Sequence, residues 1–218
     1  MELPPLLDAA KKGNLADLKN LSQNDNDINE TASNGITALM LAAENNNVEI
    51  VDYLLSEGAD VSATTAMGGS AMSRAAENGY VEVIRTLLSH GAKAGGISLI
   101  AAARAGNVDA VKLLVENGAN INAKQRWGLT PLMMAAREGH ADVVTYLLNN
   151  NARVKFKDKN GNSALSLALD NDHVDIASQL KRAGAKADAA EAEEDLDDEE
   201  SENMLEADEF DELIDEEE

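Results

Sequence analysis

The residues best equipped for acid–base or metal chemistry in this 218-residue chain are His90, His140 and His173, and each would need a titratable neighbour to perform it. The sequence gives each a place in a structural pattern rather than in a convergent set of titratable groups. His140 and His173 lie 33 residues apart in the same local pattern, and His90 directly precedes Gly91. That placement predicts scaffold roles. The absence of cysteine excludes disulfides, thiolate nucleophiles and the common structural zinc sites. Gly68-Gly69 and Gly95-Gly96 lack the lysine of a phosphate-cradling loop. Asn24-Asp25-Asn26-Asp27 offers oxygen ligands without the glutamate that closes a calcium loop, and reads as a polar turn. The expectation is a protein that is not an enzyme and holds no cofactor or metal.

Charge is unevenly distributed. Residues 187–218 hold 19 Asp or Glu and no base, whereas residues 1–186 hold 21 acids against 18 Lys and Arg, so the net charge of -22 resides mainly in the last 32 residues. A near-neutral body beside an acidic segment predicts no direct binding to nucleic acid. The opening Met1-Glu2-Leu3-Pro4-Pro5-Leu6-Leu7 has an acid where an export signal has bases, and no stretch nears the roughly 18 apolar residues of a membrane helix. These features predict a cytoplasmic protein without a membrane partner, monomeric when free. Residues 187–218 read as an acidic tail, disordered in isolation. Within it Met204, Leu205, Phe210, Leu213 and Ile214 stand among the acids, the last three at helical spacing, which suits a basic partner with an apolar groove.

The elements that would position any binding residue follow a period of 33. Leu39, Ala42, Ala43, Leu54, Leu55 and Gly58 return as Met72, Ala75, Ala76, Leu87, Leu88 and Gly91, and again as Leu132, Ala135, Ala136, Leu147 and Leu148. Each period reads as a tight turn such as Asn34-Gly35, a hydroxyl cap such as Thr37, a short apolar helix, a polar break and a second helix. A composition of 44% hydrophobic but only 3% aromatic residues suits a long, thin core of Ala, Leu and Val. Between Gly91 and Gly118 the period falls to 27, which predicts a truncated turn and a notch between the third and fourth units.

The run Gly128-Leu129-Thr130-Pro131-Leu132-Met133-Met134-Ala135-Ala136-Arg137-Glu138-Gly139-His140 resembles the signature of the ankyrin repeat, and the resemblance extends over residues 5–186. It implies an all-α solenoid of stacked helix-turn-helix units with projecting hairpins lining a concave groove. The units expected are 5–31, 32–64, 65–94, 95–124, 125–157 and 158–186. The family's contact positions, carried over to this chain, are Asn34, Ile36, Met67, Arg126, Trp127, Leu129 and Lys159 on the hairpins, and Glu44, Glu77, Arg104 and Arg137 on the first helices. Trp127 is the only tryptophan and falls at a hairpin tip beside Arg126, a pairing suited to an interface anchor. Arg104, Arg126 and Arg137 share a side in this register and predict a modest positive patch within transient reach of the acidic tail. Arg74 stands where other units carry Leu41, Ala101, Met134 and Leu167, which predicts a surface-reaching or acid-paired side chain.

The function expected is a noncatalytic module that captures a partner protein, of basic character, through groove and tail, as a chaperone, shield or inhibitor. The competing expectation is a generic scaffold or adaptor whose acidic tail only aids solubility.

Overall fold

The computed structural model describes residues 3–23 and 27–185. The chain divides into a compact unit, Met1–Ala187, and a second, Asp188–Glu218, which lies wholly outside the described residues. The expectations placed on Met204, Leu205, Phe210, Leu213 and Ile214, and on most of the Asn24–Asp27 turn, lie outside them too.

Twelve short helices among the described residues come in pairs: α1 Pro5–Lys12 with α2 Leu15–Ser22, α3 Ala38–Glu44 with α4 Val48–Ser56, α5 Ala71–Asn78 with α6 Val81–Ser89, α7 Gly96–Ala105 with α8 Val108–Glu116, α9 Pro131–Glu138 with α10 Ala141–Asn149, and α11 Ala164–Asp170 with α12 Val174–Arg182. Helices of two to three turns are not stable in water, so their order comes from packing. Thr37, Ser70, Thr130 and Ser163 occupy one register position and start α3, α5, α9 and α11, each hydroxyl accepting the backbone N–H three residues on.

The first helices pack in sequence, α1 on α3, α3 on α5, α5 on α7, α7 on α9 and α9 on α11, while α4, α6, α8, α10 and α12 form a second row. A first helix is thus enclosed by neighbours, which is why α3 buries Ala38 through Ala43 without a polar face. The paired alanines Ala42-Ala43, Ala75-Ala76, Ala102-Ala103 and Ala135-Ala136 have no exposed surface, and their small side chains let adjacent helix axes approach closely. Each fully buried leucine of the second row, such as Leu54, Leu87, Leu114 and Leu147, contributes about 1.5–3 kcal/mol.

Side chains at the start of the second helices join one unit to the next. Asn47 Nδ2 donates to the Ala10 carbonyl at 2.9 Å and Asn107 Nδ2 to the Glu77 carbonyl at 2.7 Å. The imidazole Nε2 of His140 lies 2.8 Å from the Arg104 carbonyl, and that of His173 lies 3.1 Å from the Arg137 carbonyl. A carbonyl only accepts, so both rings donate there. His90 instead approaches the Thr86 carbonyl of its own helix through Nδ1 at 3.0 Å. All three histidines serve the scaffold, and no cluster of His, Asp or Glu suited to a metal occurs among the described residues.

The expected hairpins are reduced. No extended strand forms among the described residues; the loops close through the isolated antiparallel bridges Thr31 to Thr37, Thr64 to Ser70 and Lys157 to Ser163. Each is a tight turn in which Gly35, Gly68 or Gly161 takes a positive φ, as Gly128 does in the 125–129 turn. The truncated junction is absorbed locally. Ile97 occupies the register position of the capping hydroxyls and cannot cap, so α7 begins earlier, at Gly96, and runs to ten residues where the other first helices have seven or eight.

Candidate partner-binding edge

The turns adjoin one another along one edge of the compact unit. Asn29 Oδ1 accepts the Asp60 N–H at 2.8 Å, joining the loops before α3 and α5. The Trp127 carbonyl accepts the Lys159 N–H at 3.0 Å and Asn122 Oδ1 accepts the Arg153 N–H at 2.8 Å, joining those before α9 and α11. Between these pairs the chain supplies only the short 90–95 connection. There Gly96 approaches Ala123 so closely that an added Cβ would lie 2.3 Å from the alanine methyl, while Ile97 reaches toward Gly68.

Three large apolar side chains are exposed along this edge in successive units: Met67 at 97%, Ile97 at 55% and Trp127 at 60%. Asn34, Arg126 and Lys159 are exposed on their turns as well. Ile36 and Leu129 are different. Both are half-buried and pack on the core, and Leu129 also covers a small satellite of Ile100, Ala123 and Met134, so they act chiefly as props for the turns.

The charged first-helix positions are engaged with one another. Glu77 pairs with Arg104 at 2.5 Å, Glu44 with Arg74 at 2.6 Å, and Arg137 with its neighbour Glu138 at 2.9 Å. The positive patch anticipated from Arg104, Arg126 and Arg137 is therefore largely neutralised: of the three, only Arg126 makes no ion pair among the described residues. The Glu77–Arg104 and Arg137–Glu138 pairs, open to water, contribute little to stability, about 0–1 kcal/mol. Arg74 is the acid-paired side chain its register implied, but its Nε is buried without a hydrogen-bond partner. Arg74→Leu, which restores the residue type of the other units, is expected to leave stability unchanged within about 0.5 kcal/mol or raise it, because Glu44 remains accessible to water. A urea midpoint implying a loss above about 2 kcal/mol would contradict this.

A stronger positive region was missed because charge was summed over the whole body. Residues 20–73 contain eight Asp or Glu and no Lys or Arg, whereas the segments 119–130 and 152–163 contain six bases, Lys124, Arg126, Arg153, Lys155, Lys157 and Lys159, against the single acid Asp158. All six bases are exposed. Lys124 and Arg153 also lie over the Phe156 ring, at 4.3 and 5.4 Å from its centroid. Burial works to raise the Asp158 pKa, but the N–H groups of Asn162, backbone and side chain, and of Asn160 outweigh it and hold the carboxyl below its usual range. At the acidic end the Ser62 hydroxyl and N–H likewise hold Asp60 low. Both carboxylates are thus charged at neutral pH and committed to their own turns.

Among solved structures, the chain is similar to the human ASB11 ankyrin repeat domain, with 27% identity over 87% of this chain and 88% of that one and a TM-score of 0.78. It is similar to a chain in the structure of the predatory endopeptidase Bd0816 from Bdellovibrio bacteriovorus in complex with immunity protein Bd3460, with 29% identity, 84% and 99% coverage and a TM-score of 0.73. An ankyrin repeat domain (ABAYE2397) from Acinetobacter baumannii AYE matches at 32% identity, 84% and 98% coverage and a TM-score of 0.71. No curated protein matches the chain by sequence. The family model for ankyrin repeats (3 copies) matches residues 6–95 and 99–191. With its paired helices, backbone-bonded histidines and turn edge, the chain belongs to the ankyrin-repeat family, whose repeat domains are noncatalytic scaffolds for protein–protein interaction.

Proposed function

We propose that this protein captures a partner protein through its turn edge and the groove beside it, and that the partner is basic and is shielded or inhibited by the capture. The observation that carries the first part is the row Met67, Ile97 and Trp127, exposed in consecutive units of a fold whose other large apolar side chains are mostly buried. Single exposed apolar side chains are ordinary, but a row of them in consecutive units marks an interaction surface, and Trp and Arg dominate such contacts. Support for the second part is the run of 19 acids after residue 186, which attracts positive surfaces. The similarity to a chain of an endopeptidase–immunity protein complex favours an inhibitory role over that of an adaptor.

Arg126→Ala/Trp127→Ala is expected to weaken a partner captured by the intact chain at least tenfold, about 1.4 kcal/mol, chiefly through faster dissociation. Both side chains are exposed, so the melting temperature should barely move. Binding by calorimetry of wild type and double variant decides the matter, and equal affinities would remove this edge from the interface.

A further inference from the structure

The edge carries three consecutive zones of different chemistry. The turns before α3 and α5 contribute Asp27, Glu30 and Asp60 and no base; the capless start of α7 exposes Ile97, flanked by Met67 and Trp127; the turns before α9 and α11 contribute six bases and one acid. Because the junction before α7 is six residues short, the apolar zone coincides with the place where a projecting turn is missing.

We infer that the edge binds an extended polypeptide segment of fixed charge order: a basic stretch against the turns before α3 and α5, one large apolar anchor at Ile97, and an acidic stretch against the turns before α9 and α11. This rests on the partner-binding role proposed above and specifies the segment that the edge accepts. Charge complementarity selects the occupant. A uniformly basic segment gains at the acidic turns but is repelled by Lys124, Arg126, Lys155 and Lys159, and a uniformly acidic one meets the reverse penalty. Only a segment whose sign changes across an apolar residue is favoured throughout. Neighbouring helix axes lie about 8–10 Å apart, so four steps from the α3 turn to the α11 turn cover roughly 40 Å, which about 12 extended residues span. A partner that is basic overall can carry such a segment, and its acidic end is what distinguishes it from other basic proteins. Nucleic acid fits less well, because the acidic half of the edge repels phosphate.

The test uses the full chain and three synthetic 13-residue peptides with a fluorescent label: one with four Lys or Arg, a central Leu and four Asp or Glu, separated by Ser; one of the same composition with the charges interleaved; and one with Lys on both flanks. The first two carry equal net charge, so the chain's acidic segment attracts them alike. By anisotropy the charge-ordered peptide is expected to bind at least tenfold tighter than the interleaved one. Lys155→Glu/Lys159→Glu, two exposed sites, should remove that advantage and tighten the peptide with two basic flanks several-fold. Ile97→Ser, which leaves every charge in place, should weaken the charge-ordered peptide without changing the order of preference. Equal binding of ordered and interleaved peptides, an unchanged preference in the double charge reversal, or tighter binding of a 20-mer of oligothymidine than of the ordered peptide would overturn the inference. A natural partner that loses affinity with Arg126→Ala/Trp127→Ala but is indifferent to Lys155→Glu/Lys159→Glu would leave the binding edge standing and remove only the charge order.

Discussion

Gly106→Ala is expected to destabilise the protein by about 2–4 kcal/mol, whereas Gly161→Ala, at a similar backbone angle, should cost only about 1 kcal/mol. The two glycines have φ of 77° and 84°, in the left-handed region that an alanine occupies only with strain. That strain is common to both. The difference lies in what the added methyl would meet: at Gly161 nothing stands within 4 Å, but at Gly106 the new Cβ would come within 2.6 Å of the His140 ring. The ring cannot swing aside cheaply, because its Nε2 is bonded to the carbonyl of Arg104, the last residue but one of α7. Gly106→Ala therefore adds the loss of an inter-unit hydrogen bond and the displacement of α9 and α10 against α7 and α8. In a stacked array, whose stability is approximately a sum of units and their interfaces, weakening one central interface uncouples the halves. Urea unfolding should show the greater loss for Gly106→Ala, with a broadened or two-step transition. Equal losses for both variants would mean that only backbone strain matters.

The same contact explains a pattern in the helix ends. Gly13, Gly79, Gly106 and Gly139 end first helices where the following unit presents Asn47, Asn107, His140 and His173. At the end of α3 the position equivalent to these glycines is Asn46, which takes φ of 58° without being glycine; the next unit carries Tyr80 where the others carry Asn or His, and Tyr80 makes no such side-chain bond among the described residues. Asp172, with φ of 60°, ends the last first helix among the described residues. Glycine is thus used where a side chain from the next unit must lie flat on the helix end.

These relations separate what the sequence made legible from what it hid. The helices, their caps and the burial of Ala75-Ala76 or Leu147 follow from spacing alone, because each unit repeats the same local solution. The truncated junction was also legible from Gly91 to Gly118. Its consequence was not, since Ile97 had to be recognised as a failed cap before the longer α7 and the exposed apolar zone could follow. Ion pairing escaped for a different reason. Glu77 meets Arg104 at an offset of 27, the local period across the short junction, but Glu44 meets Arg74 at an offset of 30 where the period is 33, so the position to which a charged side chain turns is not fixed by the period. The basic turns were hidden only by averaging: Lys155, Lys157 and Lys159 cancel against Asp27, Glu30 and Asp60 in a whole-domain sum, although they lie at opposite ends of the edge.

Replacing the Asp and Glu of residues 188–218 by Asn and Gln is expected to slow association with the captured partner by roughly ten- to a hundredfold at low ionic strength, with little change in dissociation. A field from 19 like charges acts before contact, raising the encounter rate of a basic protein, whereas the short-range fit at Trp127 and Ile97 governs how long the complex lasts. The two contributions also separate by salt. The screening length falls from about 30 Å at 0.01 M to about 8 Å at 0.15 M, so the rate advantage of the native sequence should shrink steeply over that range, while the effect of Arg126→Ala/Trp127→Ala on dissociation should persist. Stopped-flow association and dissociation rates at both ionic strengths, for wild type and the neutralised variant, resolve these cases. If the acids serve only solubility, the neutralised variant would aggregate more readily yet associate at the native rate at every salt concentration. If the partner is not basic, neutralisation would leave the low-salt rate unchanged or raise it, and the binding edge would remain with a partner of different charge.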